Sequence, residues 1–306
     1  MTVLSRSEAT VLVDRGFDLP AGRGRLRRLG RLARQNPIGV LALVVLLVLC
    51  LGAVFAPLIS PYSPSAIGGG RLEAPSSHHL LGTDRIGRDV LSRILYGGRI
   101  SLLVGFLAVG SGTLTGTAIG LLSGFAGGWP DLIVQRLMDV IMSIPALLLA
   151  LVIVASFGPG VANAMIAIAI VLVPTTARVM RSVALQIKAR SFVESARASG
   201  ATNLRVLSRH IAPNAVDEVL ILASLALASA VIIEAALSFL GLGTQPPTPS
   251  WGQMLSEGRQ NYIRAPHMVW VPSLAIGLTV LAVTMCGDTL RDILDPKVRG
   301  GGRVKF

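Results

Sequence analysis

Six apolar stretches, each long enough to cross a lipid bilayer, constrain this chain more than any other feature. They run Ile38–Ile59, Ser101–Phe125, Leu132–Phe157, Val161–Met180, Val216–Leu242 and Met268–Thr289. At about 1.5 Å per residue, a helix of roughly 20 residues spans the ~30 Å hydrocarbon core. Inside that core the backbone must satisfy its own hydrogen bonds, so runs of this length read as helices. Only 14% of the 306 residues are charged and 52% are hydrophobic, too little charge to cover a soluble domain of this length. The expected fold is therefore an all-α membrane protein with six transmembrane helices. Pro145 and Pro174 fall inside two of the runs, where a kink or break is expected.

The first run follows a basic stretch, Arg23, Arg25, Arg27, Arg28, Arg31 and Arg34. A cleavable signal peptide is the rival reading, with Val54-Phe55-Ala56 loosely resembling a cleavage site. The run is too long for a signal core and Pro57 sits where cleavage would fall, which favours an uncleaved signal anchor. Six spans put both termini on one side. With the N-terminus inside, 21 of the 28 Lys and Arg residues lie in or beside inside segments and seven lie outside. This bias orients both termini to the cytoplasm. The net charge of +12 is then topogenic, and no motif that reads nucleic acid accompanies it. The expected organisation is a basic tail over 1–37, a first span over 38–59 and an extracytoplasmic loop over 60–100. A five-helix core over 101–290 and a short cytoplasmic tail over 291–306 complete it.

Within the second run, Ala108, Gly112, Gly116, Gly120 and Gly124 recur every four residues. Small residues at that spacing form one stripe down a helix and let another helix approach the backbone. Glycine is common in membrane helices, but five small residues in register favour packing over chance. The two cysteines, Cys50 and Cys286, lie in apolar runs and read as small hydrophobes rather than a disulfide.

The segment between the fourth and fifth runs, residues 191–214, is the most informative. Ser191 and Glu194 have capping-box spacing, and Gly200 suits the left-handed end of a short helix. Thr202 or Asn203 can cap a second helix, with Pro213 just beyond its end. On that second helix Leu204, Leu207 and Ile211 share a face, while Arg205 and Arg209 point elsewhere. Periodicity leaves three uses open: docking a partner, lying on anionic lipid, or connecting two spans.

The residues choose among them. Glu194-Ser195-Ala196, with Gly200 four residues after Ala196 and Pro213 after His210, resembles the EAA loop of binding-protein-dependent ABC importer permeases. Ser195 stands where that family usually has its second alanine. Leu81-Gly82-Thr83-Asp84, then Gly87-Arg88-Asp89 through Arg93 and Tyr96 through Leu102, is similar to the segment preceding span two in the C-type subunit of dipeptide and oligopeptide transporters. Glu234 through Gly243, Pro249-Ser250-Trp251-Gly252 and Gly287-Asp288 through Pro296 match further signatures, so the resemblance covers about 80–296.

The resemblance implies a type I ABC importer permease fold whose coupling helix seats in an ATPase subunit, with Glu194, Ser195, Ala196, Gly200, His210, Pro213 and Asn214 at that contact. It further implies a homologous B-type permease and two ATPase domains carrying ATP and magnesium. An extracytoplasmic substrate-binding protein and a home in the bacterial cytoplasmic membrane complete the picture. Cargo in the family includes dipeptides, longer peptides, nickel complexes and haem.

Single residues carry further expectations. Glu234, a carboxylate inside an apolar run, either lines a pathway or gate or makes a structural hydrogen bond. Asp139 is placed to pair with Arg136 at i, i+3. Asp84, Arg88 and Asp89 either meet a binding protein or brace the outer loop. His78-His79 lacks carboxylate or cysteine company, so no metal site is expected. The chain carries no G-x-x-x-x-G-K-[ST], G-x-S-x-G or H-E-x-x-H pattern, so no catalytic set and no cofactor of its own are expected. The rival functions are an ion-coupled secondary transporter, which needs several midplane carboxylates, and a membrane scaffold or receptor subunit that uses the loop for docking.

Overall fold

The computed structural model describes residues 36–294; its regular elements are all helical, with two isolated bridges but no strand among the described residues. The expected tails over 1–37 and 291–306 lie almost wholly outside the described residues. In chain order the helices are α1 (Pro37–Val54), α2 (Ala56–Ile59), α3 (Val90–Ala126), α4 (Gly128–Met142), α5 (Ala146–Phe157) and α6 (Val161–Lys188). They continue with α7 (Ser191–Ala198), α8 (Asn203–Val206), α9 (Val216–Phe239), α10 (Trp251–Gly258) and α11 (His267–Leu294).

Five spans are single apolar helical runs, and the expected third span is instead a broken pair, α4 and α5, bent by 88°. Pro145, at the cap of α5, marks the break. A proline has no N–H to donate and clashes with the preceding turn, so the helix restarts in a new direction. Pro174 behaves otherwise: it is buried inside an uninterrupted α6. A proline in a membrane helix is tolerated where neighbouring helices hold the turn. The chain is a multi-pass membrane protein.

The second span also starts earlier than the apolar run. α3 begins at Val90, so the last eleven residues assigned to the 60–100 loop are already helical. At about 1.5 Å per residue its 37 residues reach ~55 Å, far more than a bilayer core. Its first turns therefore stand clear of the membrane, where Asp89 accepts a hydrogen bond from the Ser92 N–H at 2.8 Å and caps the helix.

The small-residue stripe on α3 determines the centre of the bundle. Ala108, Gly112, Gly116, Gly120 and Gly124 are all buried, and the four glycines face α6. A Cβ on Gly112 would lie 2.7 Å from the Ala169 carbonyl oxygen, and one on Gly124 would lie 2.8 Å from that of Arg181. Backbone meets backbone along the seam, and no larger side chain fits. α3 and α6 run parallel there, since rising numbers on one match rising numbers on the other. The adjoining core joins Val104 and Ala108 to Val154, Ile168, Leu227, Ile233 and Leu237. α1 packs on the outside, its Gly39 against Thr289 of α11 and its Ala53 near Gly98. One end of the bundle thus bears residues 188–215, and the other bears the 55–89 and 240–267 segments.

Candidate functional site

At the first end, residues 190–215 build a compact helical shelf. Arg190 occupies the cap of α7 and Ser191 is its first helical residue, with no side-chain cap bond. The expected Ser191–Glu194 capping box therefore does not form, because the helix starts one residue earlier than the pattern requires. Gly200 ends α7 as expected, at φ +81°. The Ala201 N–H donates to Ala196 O at 3.0 Å and the Gly200 N–H to Arg197 O at 2.9 Å, a Schellman ending. Thr202 caps α8, accepting from the Arg205 N–H at 3.4 Å.

Pro213 does not lie beyond a helix end. The chain passes from α8 through a π turn at Leu207–Ile211 and a 3₁₀ turn at Ala212–Ala215 into α9. The widened and tightened turns absorb the proline, whose missing N–H would otherwise leave a gap in an α ladder. Asn214 Nδ2 closes part of that gap by donating to His210 O at 2.7 Å. The π turn also changes which side chains point inward. Val206, Ile211 and Ala215 are buried with Leu207 partly so, whereas Leu204, expected on the buried face, is 74% exposed.

The shelf is fastened at few points. Val193 is the buried residue of α7, packed with Val206, Ile211, Leu121, Met180 and Ile187. Arg197 and Lys188 both approach the Phe125 ring, at 5.6 and 5.5 Å from its centroid. The Lys188 Nζ also donates to Phe125 O at 2.7 Å. Asp131, which sequence reasoning passed over, accepts two bonds from Arg181, at 2.7 and 2.6 Å, and locks the start of α4 to α6. An acid in the first turn of a helix was its only signal. Asp139 meets Arg136 at 3.7 Å as expected, but pairs more closely with Arg178 of α6.

What remains outward is Glu194, Ser195, Ser199 and Gly200, with Phe192, Leu204 and His210 beside them. The Ser195 hydroxyl folds back onto Ser191 O at 3.0 Å, so the residue presents little more than an alanine would. The Phe192 and His210 rings lie 6.4 Å apart. The result is a short rigid helix, held at its base and open on one side, with a mixed apolar and charged face.

At the other end, Asp84, Arg88 and Asp89, expected either to meet a binding protein or to brace the loop, are all buried. Asp84 takes the Arg88 Nε at 2.5 Å and the Arg93 guanidinium, and both arginines also reach Glu257 of α10, at 3.0 and 2.7 Å. Burial pushes the Asp84 carboxyl up, but the Arg88 and Ile86 N–H groups and the two guanidinium groups outweigh it, leaving Asp84 below the ordinary carboxylate range. Asp89, besides capping α3, pairs with buried His79 at 2.9 Å. These side chains brace the loop. Glu257 was invisible in the sequence because its two arginine partners lie more than 160 positions away.

Glu234 is 1% exposed, and its Oε1 accepts from the Ser238 hydroxyl at 2.8 Å. The Thr244 N–H donates to the same hydroxyl at 3.2 Å, and the hydroxyls of Ser101 and Ser250 flank the carboxyl. Within this chain Glu234 is enclosed between α9, α3 and the cap of α10, bonded to its own helix through Ser238 and with its Oε2 left without a hydrogen-bond partner. Trp251 completes that knot through Nε1–H to Ile94 O at 3.0 Å.

Comparison with known proteins decides what such a bundle and shelf belong to. The family described as "binding-protein-dependent transport system inner membrane component" matches residues 116–300, and the N-terminal transmembrane domain of oligopeptide transport permease C matches residues 26–75. The chain is a member of this permease family. It is 42% identical over 267 residues to the dipeptide transport system permease protein DppC of Alkalihalophilus pseudofirmus, covering 87% of this chain and 88% of the relative. It is also 45% identical over 271 residues to the glutathione transport system permease protein GsiD of Pectobacterium atrosepticum, with coverage of 88% and 90%. Among solved structures, the inward-facing MetNI methionine ABC transporter shares the fold. The TM-score is 0.55 at 19% identity, over 65% of this chain and 94% of that one. A permease subunit of this class is not itself catalytic; its work is to span the membrane.

Proposed function

We propose that this permease forms half of the translocation pathway of an ATP-driven peptide importer in a bacterial cytoplasmic membrane, and that the 191–214 shelf is its contact with an ATPase subunit. The observation that carries this reading is the shelf itself: α7 is anchored through buried Val193 and ended by Gly200, while Glu194 and Ser195 remain exposed. A helix held this way moves as a body with the ends of α6 and α9. Closure of two ATPase domains around ATP and magnesium would thus bias the bundle between two states. The charge bias supports a cytoplasmic shelf with both termini on the same side. The 55–89 and 240–267 segments then face a substrate-binding protein, and a homologous B-type permease supplies the other half of the pathway.

Peptide cargo rests on the relatives, whose names specify dipeptide and glutathione. Co-purification with the ATPase subunit, followed by uptake, tests the contact. Glu194→Arg and Gly200→Trp are expected to lose the ATPase and to abolish transport. Unaltered, ATP-independent uptake in these variants would instead support the secondary-transporter or scaffold readings.

A further inference from the structure

A cavity of about 640 Å³ lies between α1, the first half of α3 and the 247–249 segment, well away from the shelf. Its size falls within the roughly 300–1,000 Å³ of small-molecule sites. Its polarity is graded along the bundle axis. Tyr96, Arg99, Ser65 and Thr248 sit toward the loop end, and Cys50, Leu102, Leu103 and Phe106 line the deeper part. From Arg99 to Phe106 the helix descends about 10 Å, from the water-facing turns of α3 into the apolar run. Leu103 and Phe106 are exposed, so the deep part opens sideways.

The charges are one-sided. No carboxylate lines the cavity, and Arg99 makes no ion pair among the described residues. A guanidinium and three hydroxyls at the mouth offer hydrogen-bond donors to an anionic, oxygen-rich group, which guanidinium forks bind well. Below them the walls accept only hydrocarbon.

We propose that this groove holds an anionic glycerophospholipid, with its phosphate on Arg99 and one acyl chain along Leu103 and Phe106. A soluble peptide would leave the hydrocarbon floor unused, and a zwitterionic lipid would bring a second cation beside its phosphate that competes with Arg99. The site rests on the membrane placement of α1 and α3 and not on the shelf's role, so the two stand or fall separately.

Native mass spectrometry of the full complex, equilibrated with phosphatidylglycerol or phosphatidylcholine, tests it. Wild-type complex is expected to retain phosphatidylglycerol at least several-fold over phosphatidylcholine. Arg99→Gln should abolish that preference, and Arg99→Lys should restore most of it. Intact co-purification of the other subunits separates loss of lipid from loss of assembly. Equal retention of the two lipids, or an undiminished preference in Arg99→Gln, overturns the proposal. So does efficient cross-linking from Cys50 to the second permease subunit in the same preparation, which would make the groove a subunit seam.

Discussion

At Asp84 two arginines and two backbone N–H groups converge on one buried carboxylate, and Glu257 repeats part of the arrangement from α10. Removing one partner of a buried ion pair leaves charge uncompensated, at a cost of about 3–5 kcal/mol. Asp84→Ala is therefore expected to lower the unfolding temperature of the purified permease sharply, whereas truncating exposed Asp139 should change it little. The pH dependence follows from the same contacts. A carboxyl held below its ordinary value contributes stability that is present above about pH 4, the unfolded value, and is lost as pH falls through the lower folded one. Melting curves of wild type should soften on acidification through that window, and those of Asp84→Ala should soften less.

These residues also show why part of the molecule was not legible in the sequence. Asp84, Arg88 and Asp89 stood out as charged residues in an outer loop, a position that leaves both bracing and a surface role open. Their burial depends on Glu257 and His79 closing over them, and no local pattern encodes such a long-range closure. Gly200 was legible because its requirement is local: a left-handed turn at a helix end.

At the scale of elements, the α3–α6 seam is the clearest case of sequence dictating packing. The four-residue period announced a close approach, but only the fold shows that the partner is α6. Gly116→Leu or Gly120→Leu would drive a side chain into the α6 backbone, and neither variant should accumulate as folded protein. Gly110, on the same helix, has open space around its Cβ position. Gly110→Ala should therefore leave expression and thermal stability at or slightly above wild type. Expression with melting analysis of these three variants checks the register of the stripe. Two other elements resisted sequence reading. Pro145 breaks its span and Pro174 does not, a difference set by whether neighbouring helices hold the turn. Leu204 changed faces because a π turn follows it, and apolar spacing assumes a uniform 3.6-residue period.

For the whole molecule, the six apolar runs and the charge bias gave the class, and the loop motif gave the family. The broken third span and the bracing of the outer segments had to come from the structure. Those two features divide labour between the ends of the bundle. One end is tied down by buried ion pairs and by the Trp251 contact to α3; the other presents a short helix on a narrow base. Force applied at the shelf would then reach the spans through α6 and α9.

Reconstitution of the complete importer in liposomes tests this coupling most directly, with ATP hydrolysis and peptide uptake measured in the same preparation. In wild type both are expected to rise together when the binding protein and cargo are added. Gly200→Trp, strained only at the left-handed turn of the shelf, should leave the bundle folded but lose the ATPase from the complex, and with it both hydrolysis and uptake. Normal ATP-driven uptake in Gly200→Trp, or wild-type uptake that follows an ion gradient without ATP, would contradict the account.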